Sequence, residues 1–406
     1  MTATATATEP LALPEIDISD QALAAVTARL AETAEHYDRT AEFPWDGINA
    51  VHDAGLLRYG IGTRYGGQGA TVTDAARILG ALGKGDPAVA LISAMTIAVN
   101  VMQGDFGTWP EELYRKAVAD SLERPVLFNA IRAEHELGAP ARGGLPATKI
   151  ARTEKGWVIN GHKGYATGCE GLSYHLVWAA TEDEVPLQGH AIVPADTPGI
   201  EIVKTWDHLG MRASSTHDVI YRDVEIPLDQ FQGAPLVPGG LAGGGSNLRP
   251  SPLTSALWLA ISSLYVGIAR AAQEFFIRYA HERVPTALGA PIATTERIQS
   301  IAGEIEAQLM QAEEVIYGIA ARADAGDLAS AKLAPFAKLL ATRSAITAVE
   351  TAVAALGNPA LTRANPLERH LRDVLCARIH PPQDDMALIV LGKQTLSRYE
   401  AEGLAG

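Results

Sequence analysis

Gly156-Trp-Val-Ile-Asn-Gly-His-Lys-Gly-Tyr-Ala-Thr-Gly168 is the stretch on which the fold turns. Trp157-Val158-Ile159 is a short β-branched and aromatic run. Asn160-Gly161 is a strong two-residue hairpin signal, because both residue types tolerate the positive φ of a tight turn. A second strand is therefore expected through Tyr165. Outward from this hairpin, from Arg124 to about Gln232, other short runs lie between turn residues: Val126–Ile131, Tyr174–Ala179, His190–Pro194, Ile200–Val203 and Val219–Tyr221. Such spacing predicts a small antiparallel barrel or sandwich.

Helical patterns flank this β-rich middle. From about Ile18 to Asp120, Leu23, Val26, Leu30 and Ala34 recur near a period of about 3.6 residues. Asp46-Gly47 and Gly66-Gly67-Gln68-Gly69 are expected to interrupt the helices, and Thr73 or Asp74 to cap the next one. From Leu253 to near Glu402, long helical segments punctuated by Pro285, Pro291, Gly326 and Gly357-Asn358-Pro359 give the pattern of a four-helix bundle. The chain thus divides into a disordered tail (1–17), an N-terminal helical domain (18–122), a central antiparallel β-domain (123–245) and a C-terminal bundle (246–406). The fold class is α+β, mostly α. Pro235–Gly245 reads as a flexible crossing and matches neither a P-loop nor a GxGxxG turn, so no dinucleotide-binding domain is expected.

The chain has 406 residues, 47% hydrophobic and 20% charged, the makeup of a soluble globular protein with two or three domains. A net charge of −14 without any basic run argues against nucleic acid as a partner. Cys169 and Cys376 stand far apart and outside any CxxC, so neither a disulfide framework nor a metal site is expected, and a reducing cytoplasm fits. The opening MTATATATEP lacks the charged and apolar parts of a signal peptide. No stretch of about 18 uncharged apolar residues reads as a membrane span, and the nearest, Ser251–Ala269, reads as a buried helix.

Several segments together resemble the acyl-CoA dehydrogenase superfamily of flavoproteins. Asn160 to Gly168 is similar to that family's N-G-x-K-x-W-I-T-N, and Leu209-Gly210-Met211-Arg212 through Pro227 to its LGMRxSxTxxVxFxDVxVP. Tyr279-Ala-His-Glu-Arg283 with Ala287 to Ile292 resembles YAxxRxxFGxPI, and Pro366 to Asp373 resembles PVERxxRD. Arg132 to Gly144 departs from the dehydrogenases' T-E-P-x-A-G-S-D loop. The resemblance implies an acyl-CoA-dehydrogenase-like fold, a homotetramer and a bound flavin. It places Tyr165 against the ring, Thr167 near its N5 and Asn129 at its polar edge, with Trp206 and Ser214 or Ser215 lining it. It assigns Arg283 and Arg369 to the cofactor, Arg283 often to that of a neighbouring subunit. Arg212 reads as an ion-pair residue. Leu91–Val101 would floor the site, with Met95, Met102 and Trp258 as candidates for the substrate wall.

Dehydrogenases of the family remove a substrate α-proton with a Glu, which has to lie within hydrogen-bond reach. Aligned on Arg372-Asp373, this chain has His380 in place of their Tyr and Pro381 in place of that Glu. The other family position for the base, on the first C-terminal helix, is also empty, because no Asp or Glu occurs from Arg249 to Gln273. In the fold's monooxygenase branch a His follows the same Arg-Asp helix. The resemblance therefore implies a two-component monooxygenase. It would take reduced FMN or FAD from a separate NAD(P)H flavin reductase, react with O2 to a C4a-hydroperoxyflavin, and oxygenate a small organic substrate. His380, Thr167 and Asn129 would be its catalytic residues; an imidazole, of ordinary pKa about 6.5, donates or accepts a proton near neutrality. Two other readings stay open. One is an FAD-dependent acyl-CoA dehydrogenase using Asp384 or Asp385 or no strong base, the other a non-catalytic family member.

Overall fold

The computed structural model describes residues 11–137, 144–235 and 251–401. The expected crossing beyond Pro235 and part of the loop from Arg132 to Gly144 lie outside the described residues. Five helices open the fold: α1 (Asp20–Thr40), α2 (Trp45–Asp53), α3 (Val72–Gly85), α4 (Pro87–Phe106) and α5 (Glu111–Asp120). Eight strands follow: β1 (Phe128–Ile131), β2 (Lys149–Arg152), β3 (Trp157–Ala166), β4 (Tyr174–Ala180), β5 (Leu187–Pro194), β6 (Ile200–Val203), β7 (His217–Ile226) and β8 (Phe231–Pro235). The C-terminal domain comprises α6 (Pro252–Glu282), α7 (Glu296–Asp324), α8 (Leu328–Ala331), α9 (Ala334–Leu356), α10 (Asn358–Leu361), α11 (Leu367–Leu375) and α12 (Asp384–Ala401).

The strands form one sheet in the order β6-β7-β3-β2-β4-β5-β8, antiparallel except that β1 and the end of β2 run parallel to β4. The expected turn at Asn160-Gly161 is not there. β3 runs unbroken from Trp157 to Ala166, and the hairpin closes earlier, where the Thr153 N–H donates to Gly156 O at 2.9 Å. Both residues serve contacts between neighbouring strands and segments instead. Asn160 exchanges two hydrogen bonds with Asp223, at 3.0 and 2.9 Å. A Cβ on Gly161 would come 2.4 Å from Thr148 Oγ1. The glycine is needed for close approach of a neighbouring segment, and that contact overrides the local turn preference.

Three local expectations in the helical arm shift for similar reasons. Asp46-Gly47 lies inside the first turn of α2, where a Cβ on Gly47 would meet Val89 Cγ2 at 2.5 Å. The break falls between α1 and α2, where Ala41 takes φ 56° and its N–H closes on Tyr37 O. Thr71, rather than Thr73 or Asp74, caps α3 by accepting from the Asp74 N–H, while Thr73 is held by Asp324 of α7. Leu11, Leu13, Ile16 and Ile18 pack against the core, so residues 11–17 of the expected tail are ordered against it.

Helices α4, α6 and α9 are long and apolar enough to cross a membrane, but 78%, 72% and 50% of their most apolar windows are buried within the fold. α6 lies directly on α3: Cβ atoms at Gly83 and Gly267 would come 2.3 and 2.2 Å from Leu264 O and Gly80 O. Such backbone proximity admits no side chain larger than hydrogen.

The two motifs Leu-Gly-Met-Arg and Arg-Asp, far apart in sequence, meet here. Asp373 of α11 accepts from the Met211 N–H at 2.7 Å, and Arg372 pairs with Asp38 of α1 at 2.6 Å and with Glu368 at 2.7 Å. This joins all three domains. Burial pushes the Asp373 carboxyl up to about 7 and the Asp86 carboxyl, at the cap of α4, up to about 6. At these two carboxyls the native state therefore holds more protons than the unfolded chain between about pH 4 and pH 7, and their contribution to stability is lost as pH rises through that window. Asp373→Asn keeps an oxygen for Met211 but cannot ionise. Its Tm relative to wild type is expected to rise between about pH 5 and about pH 8; a constant or falling difference in thermal melts would show that the buried carboxyl ionises without cost.

Candidate active site

The site is built around the last third of β3. Lys163 is fully buried there, and its Nζ donates to Glu134 Oε1 at 2.7 Å. Glu134 also accepts from Thr148 N (3.0 Å), Thr148 Oγ1 (2.6 Å) and Ala147 N (2.6 Å). Burial lowers the Lys163 ammonium to about 8 while Glu134 opposes the shift. Burial raises the Glu134 carboxyl, but Lys163 and then Thr148 more than offset it, leaving it below its ordinary value. Both groups are thus charged near neutrality.

This pair fastens the turn after β1 to β3, and the Gly164 N–H adds a bond to Ala133 O at 3.0 Å. The pairing of β3 with β7 then slips between Lys163 and Ala166, and Tyr165 turns outward with φ 56° and 53% exposure. Behind it, Asn129 Nδ2 of β1 donates to Thr167 O at 2.9 Å. Thr167 Oγ1 lies 3.1 Å from Thr216 Oγ1, which is 2.7 Å from Ser214 Oγ. Ser215 instead donates to Glu170 Oε2. The indole of Trp206 stacks on His208 at 3.6 Å and 12°, and its Nε1–H donates to Met211 O at 2.9 Å. His135 and His208 present their rings to Tyr165, with centroids at 5.5 and 6.3 Å.

The structure thus brings Asn129, Tyr165, Thr167, Trp206 and Ser214 into one neighbourhood. His380 belongs to a second group. Its Nδ1 bonds the phenol of Tyr265 on α6, and Trp258 lies about two turns earlier on that helix. Trp258 is half exposed, whereas Met95 of α4 packs against the core. Arg283 sits exposed just past the end of α6, about 35–40 Å along it from Trp258. Arg369 is buried and lines a cleft with Arg212, Arg363 and Arg372; its Nε has no partner among the described residues. Arg212 is indeed held structurally, its Nε–H donating to Asp38 O and its Nη1 near Asp207. Asp384 is taken up by Arg343 at 2.9 Å.

Burial pushes the Tyr265 phenol well above its usual range, and burial, with a contribution from Lys338, lowers His380 to about 4. Both rings are therefore neutral at neutral pH. The Tyr265 hydroxyl has no other acceptor among the described residues, so the hydrogen-bond network assigns its proton to His380 Nδ1 and leaves the ring proton on Nε2. Sequence reading missed Tyr265, as well as Glu134, His135 and His208. The absence of acidic residues around Tyr265 was visible, but its pairing with a residue 115 positions away was not.

Models of the acyl-CoA dehydrogenase N-terminal, middle and C-terminal domains match residues 15–117, 132–224 and 259–383. The putative acyl-CoA dehydrogenase YdbM of Bacillus subtilis (strain 168) is 30% identical over 366 residues, covering 88% of this chain and 91% of its own. The chain belongs to the acyl-CoA dehydrogenase family. Among solved structures it is similar to KijD3 in complex with FMN and a dTDP-linked amino-keto sugar (TM-score 0.78, 24% identity, 95% of each chain). It is equally similar to butyryl-CoA dehydrogenase from Megasphaera elsdenii (0.78, 21%, covering 95% and 100%). Methanesulfinate monooxygenase MsuC from Pseudomonas fluorescens follows (0.77, 20%, covering 93% and 96%). Identities this low establish the common fold and nothing of the reaction.

The family's cofactor is a flavin, and the neighbourhood of Tyr165 fits one. Tyr165, Met211 and Ser215 all hold positive φ without being glycine (56°, 53° and 47°), and such backbone is retained against a cost of about 1–3 kcal/mol each. The Nδ1 of His208 is buried without a partner among the described residues, beside an exposed aromatic ring that offers a flat apolar face.

Two substitutions test this architecture. Glu134→Ala strands the buried ammonium of Lys163 and is expected to destabilise the fold by about 3–5 kcal/mol in denaturant melts; an effect near zero would mean that Lys163 is neutral or hydrated. For His380, nitrogen NMR of labelled protein is expected to show Nδ1 unprotonated and Nε2 protonated, a distribution that becomes mixed in Tyr265→Phe. A protonated Nδ1 in the wild type would reverse the assignment.

Proposed function

We propose that this chain is the oxygenase of a two-component flavin monooxygenase acting on a small organic substrate. The observation that carries this reading is the lack of a base. α4 from Pro87 to Gly104, α6 from Pro252 to Gln273, and residues 374–383 contain no Asp or Glu. The nearest sequence alternative, Asp384, is occupied by Arg343. These stretches hold no carboxylate to remove an α-proton from an acyl thioester, a step in which general-base catalysis contributes about 10²–10⁴-fold.

A reduced flavin, FMN or FAD, when bound would supply the electrons that cleave O2 and leave one oxygen atom for the substrate. The protein's part is binding and exclusion of water. Tyr165 and the Trp206–His208 stack offer apolar surface to the ring; Asn129, Thr167 and Ser214 or Ser215 offer the polar edge; Arg283 and Arg369 are taken as cofactor contacts. His380 donates from Nε2–H to oxygen rather than abstracting a proton, because its Nδ1 is committed to Tyr265. Leu91–Val101 of α4, Met95 and Trp258 form the apolar wall that keeps the site dry. The reading includes a separate NAD(P)H flavin reductase and a homotetramer, in which Arg283 serves a neighbouring subunit's site.

A second reading, acyl-CoA dehydrogenation, is favoured by the name of the 30%-identical relative. Rapid mixing of the protein and reduced FMN with oxygenated buffer separates the two. A transient spectrum unlike either reduced or oxidised flavin is expected, its lifetime shortened about 10²-fold in His380→Ala. Direct reappearance of oxidised flavin, together with anaerobic bleaching of bound FAD by an acyl-CoA, would replace the monooxygenase by the dehydrogenase.

A further inference from the structure

Beside Tyr165 lies a cluster that the flavin reading does not use. His135, in the turn after β1, and His162, on β3, both direct Nε2 to Asp218 Oδ2 on β7, each at 2.8 Å. The three atoms lie within 4.8 Å of one another. We propose that these residues bind a divalent first-row transition-metal ion. Two imidazoles and one carboxylate are a donor set suited to such ions, of which Zn²⁺ is the simplest probe.

The surroundings are those of a built site rather than a chance surface contact. Asp218 is buried, and its second oxygen accepts from Thr205 Oγ1 at 3.0 Å, while its own N–H donates back to that hydroxyl at 3.1 Å. Oδ1 is thereby occupied and Oδ2 is left for the imidazoles, the kind of outer support that orients metal ligands. His162 and Asp218 stand on paired strands, which fixes their separation. The turn carrying His135 is fastened to β3 through Glu134–Lys163 and Gly164. Gly164 also makes room for the ring, since a Cβ there would come 2.9 Å from His135 Nε2.

One oxygen accepting from two imidazoles holds two protons between three ligand atoms. A single divalent ion in their place keeps all three ligands once each neutral imidazole carries its proton on Nδ1, with the ligand atoms settling about 3.3 Å from one another, as bonds of about 2.0–2.1 Å to a tetrahedral ion require. The side chains of His135 and His162 are 49% and 51% exposed, so the remaining coordination positions open to water. An open position of this kind distinguishes the site from a closed structural one.

The test uses the full chain, cleared of metal with a chelator and titrated with Zn²⁺ by calorimetry. About one equivalent per chain is expected, with affinity falling at least about tenfold in His135→Gln and in His162→Gln. His281→Gln, an exposed histidine on α6, serves as control and is expected to bind as wild type does. Thermal melts establish that each variant is folded. Absence of stoichiometric binding by the wild type, or unchanged affinity in both His135→Gln and His162→Gln, would overturn the proposal and leave the trio as a hydrogen-bonded clamp.

Discussion

The ammonium of Lys163 has no access to water, and its only counter-charge at hydrogen-bond distance among the described residues is Glu134. Much of the candidate site hangs on that pair. A buried ion pair is weak evidence for added stability, because desolvation of two charges offsets most of their attraction. Its effect lies in uniqueness: any other register of β3, or any other path for the turn after β1, would strand a charge. The pair sets where His135 stands, how β3 slips against β7, and therefore why Tyr165 faces outward at positive φ.

A second constraint operates at the domain junction. Arg372, Asp373, Asp38 and the Met211 N–H connect α11, α1 and the segment before β7. The Gly210 backbone approaches so closely that a Cβ would lie 2.3 Å from Arg372 O. Motifs that look like separate signatures along the chain are the two halves of one joint. Around that joint the interior carries carboxyl groups that burial inclines toward protonation, whereas α4 from Pro87 to Gly104 and α6 from Pro252 to Gln273 carry none.

The chemistry of His380 follows from the same economy of polar groups. Burial, with Lys338 nearby, leaves the imidazole little to hold a positive charge, and its pKa falls to about 4. Tyr265, equally buried, takes up one nitrogen. What is left is a neutral donor at Nε2, a group suited to stabilising oxygen and poorly suited to removing a carbon-bound proton.

The sequence alone determined the three-domain order, because helix and strand periods are local properties and the glycine, proline and Arg-Asp signatures are contiguous. It also determined two long stretches without Asp or Glu, Pro87–Gly104 and Pro252–Gln273, since such an absence is visible without coordinates. Tertiary structure decided the rest. Asn160-Gly161 looked like a turn, yet contacts with Thr148 and Asp223 keep it within a continuous strand. The partners of Lys163 and His380, and the convergence of His135 and His162 on Asp218, join residues 29 to 115 positions apart. Local sequence preference carries no information about which distant side chains will share a buried space, and it is those encounters that set charge, tautomer and ligand geometry.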